Sequence, residues 1–338
     1  MGRTNRGGTN RDSDPGRGGR TPAPRGSGEL EALERIAAWL PPAPGGEVWI
    51  GDDTAVVIPA AGGLLVSVDA AVEGVHADLA LVGLDDLGWR AVSTAVSDIA
   101  AMGGCADRLV VAVAAPPSLD LELLYSGITA AALHHGAAVV GGDLSTATQI
   151  VVTVTVLGHV PGGGPPVLRS GAEAGDALVV TGPLGAAAAG LRILRDESPS
   201  PSTDSASVRA LTGAHRRPVA RLAEGEVARA SGATAMIDLS DGIASDVRRL
   251  AIASQVGARL HGLPVAAGAT EREALCGGDD YELLFSVADA ESAIKAFETA
   301  RLRTPVVVGV CTTDPSELRL GDRPLPECGW EHPFELPD

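Results

Sequence analysis

A series of aspartates in this chain stands where strands or helices give way to small residues. Asp52 and Asp53 follow Ile50-Gly51, and Asp69 ends LLVSVD. Asp98 lies inside VSDIAAMGG and Asp143 inside GGDLS. Asp238 and Asp241 share IDLSDG, and Asp279 and Asp280 share GGDDYELL. Glycine lets a backbone approach a ligand closely, and a carboxylate at a strand end can reach into a common cleft. Taken singly, each Asp reads as a turn former or helix cap. Taken together they offer the hard oxygen donors that Mg²⁺ prefers, in numbers sufficient for several ions. Asp98 is the sharpest case. It falls near the C-terminal end of an apolar helix, where its charge opposes the helix dipole, so a counter-charge is expected beside it.

The familiar anion-binding signatures are missing. The sequence holds no G-x-x-x-x-G-K and no G-x-G-x-x-G, and also no H-E-x-x-H or G-x-S-x-G. TGPLGAAAAG at 181–190 could aim backbone N–H groups at an anion or serve tight packing alone. The chain has 26 Lys+Arg against 43 Asp+Glu, a net −17. Six of those arginines lie in residues 1–28, so the remainder is more acidic still. That balance repels nucleic acid, and Lys295 is the chain's one lysine. A phosphorylated ligand would have to be neutralised by metal instead. No apolar run is long enough to span a membrane, and no secretory leader is evident. Cys105, Cys276, Cys311 and Cys328 form no C-x-x-C pair, which speaks against a zinc ribbon or disulfide framework. They read as small apolar fillers in a reducing cytoplasm.

The elements that must carry these residues read as α/β (α+β): two mixed α/β domains. Residues 1–28 are Arg, Gly, Pro and Ser with little to bury, and read as a disordered tail. The N-terminal domain is expected over 29–164, with order beginning near Glu29. It contains a strand from Leu64 to Asp69, an apolar helix face from Leu84 to Met102 and a strand from Leu109 to Ala114. A second helix runs from Leu119 to His135, with His134-His135 on its surface. A short strand at Val139-Val140 ends at GGD, and a Val/Thr-rich strand covers 150–157. The Gly/Pro cluster at 161–166 marks the boundary. The C-terminal domain, 165–338, has strands at 177–180, 235–239, 283–287 and 306–310. A helix opens after Gly182-Pro183-Leu184-Gly185, another begins at Ala244, and a mobile loop is expected at 197–207.

In order along the chain, IGDDTAVV (50–57), SVDAAVEGVHADL (67–79), VSDIAAMGG (96–104), GGDLS (141–145), LRSGAEAGD (168–176), VTGPLG (180–185), MIDLSDGIASDV (236–247) and GGDDYELLF (277–285) resemble the thiamine-monophosphate kinase family, as does the late GWEHP. The resemblance implies ATP-dependent phosphorylation of thiamine monophosphate in a homodimer paired through the N-terminal sheets. It implies Mg²⁺ ligands at Asp53, Ser67, Asp69, Asp98, Asp143, Asp238 and Asp241. ATP contacts are implied at Tyr125, Gly142, Asp143, Arg169 and Ser240, and acceptor contacts at His76, Asp279 and Trp330. Without the resemblance, His76 reads as structural and Tyr125 as helix packing. Two positions depart from the family pattern. Val68 stands where Thr is usual, which removes a side-chain oxygen. Asp279 stands where Glu is usual, one methylene shorter. Two alternatives remain: another ATP-dependent enzyme of the same superfamily, of the purine-biosynthesis synthetase type, or a non-catalytic nucleotide-binding regulatory module.

Overall fold

The computed structural model describes residues 35–49, 54–60, 63–195 and 205–332. The expected tail, the start of order near Glu29, Asp52, Asp53 and most of the expected mobile loop lie outside the described residues. The first sheet contains β1 (Leu64–Val72), β2 (Cys105–Ala115), β3 (Ala138–Thr146) and β4 (Val151–His159) in the order β1-β4-β2-β3. β4 is antiparallel to both β1 and β2, and β3 runs parallel to β2. Side chains alternate across each strand. Leu109, Val111 and Val113 on β2 and Val152, Val154 and Val156 on β4 are buried beneath α1 (Leu84–Ala101) and α2 (Leu121–His134). The opposite face carries Leu64, Val66 and Val68 of β1, exposed at 55%, 59% and 64%.

The second sheet adds β5 (Ala177–Val180), β6 (Ala235–Asp238), β7 (Gly257–Leu260), β8 (Leu283–Val287), β9 (Val306–Thr312), β10 (Leu318–Leu320) and β11 (Arg323–Pro324), ordered β11-β10-β7-β9-β5-β8-β6. Each face has its own core. One packs Leu178, Val180, Ile237 and Leu284 against α6 (Ile243–Ser254) and α7 (Glu271–Cys276). The other joins Met236, Leu283 and Phe285 to α5 (Leu222–Ala230), α8 (Ala290–Thr299) and the end of α1, through Ala100 and Ala101. α1 therefore contributes to the cores of both sheets. α3 (Ala186–Leu194) opens after Gly185, as the sequence implies, and packs on α4 (Ser205–Arg216). No helix among the described residues is long and apolar enough to cross a membrane.

Several expectations need correction. β3 does not stop before GGD but continues through it to Thr146, so Asp143 sits within a strand. Its pairing with β2 supplies the extra backbone bonds. Helix α4 begins at Ser205, inside the expected loop; its apolar residues at 208 and 211 are too few to announce it. His135 is buried rather than on the surface: its Nε2 lies 3.0 Å from Ser93 Oγ, and burial lowers its pKa to about 4. The cysteines are not all fillers. Cys276 and Cys328 form a disulfide across a sequence separation of 52 residues, whereas Cys105 and Cys311 are free. Sequence spacing could not reveal that pair, because β8 to β11 return the chain to the end of α7.

α1 and α2 approach closely at Gly127, where a Cβ would strike the Asp85 carbonyl. Gly127→Ala should lower unfolding free energy in urea by about 1–2 kcal/mol. Overpacking costs about 1–3 kcal/mol, and the better helix propensity of Ala returns about 1 at most.

Candidate active site

Three neighbouring side chains of α1 reach three different elements. Ser97 Oγ donates to Asp238 Oδ2 on β6 at 2.8 Å. Asp98 Oδ2 accepts from Ser67 Oγ on β1 at 2.5 Å. About two helical turns earlier, Arg90 Nη2 meets Asp279 Oδ2 at 2.8 Å in the loop before β8. Carboxylates from both sheets thus meet at the C-terminal half of α1.

Their electrostatics follow from that crowding. Burial raises the pKa of Asp98, and the charge of Asp69 adds to the rise, while the Ser67 hydrogen bond opposes it. Asp238 is pushed up to about 6, first by burial and then by Asp98. Among the described residues no cation forms an ion pair with Asp98, and the counter-charge expected near it is Arg169, acting at longer range. Arg169 acts on both Asp98 and Asp238 electrostatically, yet the chain leaves the group short of positive charge. Among the described residues no group of three or more His, Cys, Asp or Glu is close enough to hold a metal unaided. The donor chemistry nevertheless suits a hard divalent cation: mutually repelling carboxylates at Asp69, Asp98 and Asp238, with the Ser67 hydroxyl alongside. Val68 projects from the opposite, exposed face of β1, so its departure from Thr does not alter the face that bears Ser67 and Asp69.

The other expected ligands are placed differently. Asp241 is half-buried and pairs with Arg249, and its backbone N–H donates to Asp246 Oδ2 at 3.2 Å. Asp143 lies on β3, the edge of the first sheet opposite β1. Three strand spacings of about 4.8 Å put it about 14 Å from Asp69 across the sheet. Its carboxylate accepts from Ser145 Oγ at 3.0 Å. Tyr125 is only 4% exposed in the first core, and burial, with Asp143 second, raises its phenol to about 12. Gly142 and Arg169 are exposed, and Asp53 lies outside the described residues.

The three expected acceptor residues do come together. His76 Nδ1 accepts from the Val72 N–H at 3.0 Å, and the His76 carbonyl accepts from Arg90 Nη2 at 3.2 Å. Arg90 therefore joins His76 to Asp279. Asp279 N–H donates to the Ser240 carbonyl at 2.9 Å, and Trp330 N–H donates to the Asp241 carbonyl at 3.0 Å. Asp279 and Tyr281 both hold positive φ, 69° and 49°, a backbone that costs non-glycine residues about 1–3 kcal/mol and clusters at functional sites. Tyr281 Oη donates to Asp279 Oδ1 at 3.2 Å. The shorter side chain of Asp279 is thus turned toward Arg90 and Tyr281. Arg90, His215 and His332 were not singled out by sequence reasoning. Arg90 left one signal, a lone cation on an apolar helix face that is 3% exposed.

The sequence comparisons define the class first. Residues 51–160 match AIR synthase related protein, N-terminal domain, and residues 173–320 match AIR synthase related protein, C-terminal domain. Thiamine-monophosphate kinase of Bacillus subtilis (strain 168) is 34% identical over 273 residues, covering 77% of this chain and 83% of that protein. The enzyme of Mycobacterium tuberculosis (strain ATCC 25618 / H37Rv) is 40% identical over 228 residues, 67% of this chain and 65% of that one. The crystal structure of thiamine-monophosphate kinase from Stenotrophomonas maltophilia K279a superposes with TM-score 0.75 at 30% identity, covering 87% of this chain and 97% of that chain. AaThiL complexed with AMPPCP and TMP gives TM-score 0.69 at 29% identity, covering 84% and 91%. The chain belongs to the thiamine-monophosphate kinase family. Hydrogenase maturation protein HypE in complex with ATP, 17% identical at TM-score 0.62 over 78% of this chain and 80% of that one, shares the fold.

His215, buried beside Arg90, has its pKa lowered to about 4, first by burial and then by the Arg90 charge. The folded state therefore holds it neutral. Stability is unaffected above pH 6.5 and falls as pH drops toward 4, because the unfolded chain takes up the proton first. Urea unfolding at pH 7 and pH 5 should show wild-type protein losing about 2 kcal/mol more than His215→Gln.

Proposed function

We propose that the protein transfers the γ-phosphoryl group of ATP to the phosphate of thiamine monophosphate, giving ADP and thiamine diphosphate. The observation that carries this reading is the convergence of Asp69 and Asp238 from two sheets with Asp98 of α1, beside the group of His76, Arg90, Asp279 and Trp330. The kinase relatives and the AMPPCP–TMP complex support it.

The nucleophile is an oxygen of a phosphate monoester, whose second pKa of about 6 leaves it mostly dianionic at pH 7. No general base is needed. The obstacle is repulsion: each pair of unit charges at about 4 Å costs roughly 4 kcal/mol at an effective dielectric near 20. Bound Mg²⁺ would supply charge neutralisation and alignment of donor and acceptor oxygens. Ser67, Asp69, Asp98 and Asp238 would hold it, with Asp53, Asp143 and Asp241 as further ligands. Arg169 and Ser240, with Tyr125 and Gly142, would contact ATP. Arg90 fixes Asp279 and the His76 backbone, so the acceptor meets a preset pocket wall. Trp330, 49% exposed, offers an aromatic face for the thiamine rings. Transfer is direct and in line, without a phosphoenzyme. We place this reaction in the cytoplasm.

Purified protein with ATP, Mg²⁺ and thiamine monophosphate should form thiamine diphosphate, and acid quenching with γ-labelled ATP should leave the protein unlabelled. Asp98→Asn should cut kcat at least about 100-fold with the fold intact by circular dichroism. A thermal shift with ATP–Mg²⁺ but no turnover would instead favour a regulatory nucleotide-binding module.

We also propose a homodimer through the first sheet. Its outer face aligns Val66 with Leu157 and Val68 with Thr155, and β1 is an edge strand among the described residues. An exposed apolar stripe on an edge strand is a surface that soluble proteins cover. Val68→Asp should shift the sedimentation coefficient from dimer to monomer.

A further inference from the structure

The C-terminal segment is held at three points within five residues. Cys328 is bridged to Cys276, Trp330 N–H is bonded to the Asp241 carbonyl, and His332 meets His76. The two imidazoles stand Nε2 to Nε2 at 3.3 Å, with ring centroids 5.1 Å apart in an edge-to-face arrangement. Trp330 lies edge-to-face with His332, centroids 5.9 Å apart. Because His76 Nδ1 accepts the Val72 N–H, neutral His76 carries its proton on Nε2. That proton points at His332 Nε2, which must be the acceptor and carry its own proton on Nδ1. The tautomer and ring plane of His76 are thus fixed at both nitrogens, one by the backbone of β1 and one by the C-terminal segment.

We propose that His332 is a specificity-determining positioning residue for the phosphorylated acceptor. It acts through His76, accepting the His76 Nε2–H and so fixing the plane of that ring as a wall of the acceptor pocket, and it braces the edge of Trp330. This deepens the thiamine monophosphate reading and rests on it for the identity of the ligand. A lone His in a short terminal segment carries no such role by itself; the paired nitrogens and the anchored segment give it one.

The test uses the full chain with His332→Phe, which keeps a ring beside Trp330 but removes the acceptor nitrogen, and His332→Gln, whose amide oxygen can accept. His332→Phe should raise the KM for thiamine monophosphate, and its Kd in calorimetry, about tenfold while the KM for ATP changes less than twofold. His332→Gln should recover most of that loss. Long-range ¹⁵N–¹H spectra should report His76 protonated at Nε2 in both wild type and His332→Phe, with the Nε2–H resonance moved upfield in the variant by loss of its acceptor nitrogen. An unchanged acceptor KM in His332→Phe, or an equal rise for ATP, overturns the proposal while leaving the kinase reading intact. A wild-type protein that binds the acceptor without turning it over, yet binds it tenfold more weakly in His332→Phe, keeps the proposal and sinks the kinase. Absence of acceptor binding in wild type overturns both.

Discussion

The structure depends on one helix that spends its polar residues inward. Arg90, Ser97 and Asp98 of α1 reach Asp279, Asp238 and Ser67 respectively, each on a different element. Buried polar groups of this kind are costly unless paired, and breaking a buried charge pair costs about 3–5 kcal/mol. The three ties therefore fix β1, β6 and the loop before β8 relative to one another. Everything proposed for the site is hung on that frame. The apolar face of α1 supplies the packing energy, and its polar line supplies the geometry.

The same frame creates an imbalance that the chain does not resolve. Burial raises the cost of ionising both Asp98 and Asp238, Asp69 adds to it at Asp98, and Asp98 adds to it at Asp238. Arg169 compensates only in part. A folded protein tolerates such crowding where a cation completes the set, and an acidic, lysine-poor body leaves that cation to be an inorganic one. On the acceptor side the solution is the reverse: Arg90 neutralises Asp279 within the chain and holds its pKa below the usual range despite burial. Two carboxylate groups a short distance apart are thus handled in opposite ways, one left open for metal and one closed by guanidinium.

Much of the architecture was legible because period and punctuation agreed. The alternation in β2 and β4, the helical stripe from Leu84 to Met102 and the glycines around Asp238 and Asp241 all led to elements where they were expected. Two mixed α/β domains followed from these. What sequence could not supply was long-range and physical. Cys276 and Cys328 carry no spacing signal, and only the path of β8 to β11 brings them together. GGD reads as a turn, but a parallel partner strand overrides local preference. Asp143 looks equivalent to Asp69 in sequence, whereas strand order places it at the far edge. Arg90 and His332 act through partners distant in sequence, 189 and 256 residues away.

The sharing of α1 between cores has a consequence for dissection. Ala100 and Ala101 are packed with Met236, Leu283 and Phe285, so a fragment ending after β4 would uncover the helix tail, and the complementary fragment would uncover one face of its sheet. Although family boundaries suggest two modules, one of the three cores is built from both halves. The shared wall couples the unfolding of one half to that of the other.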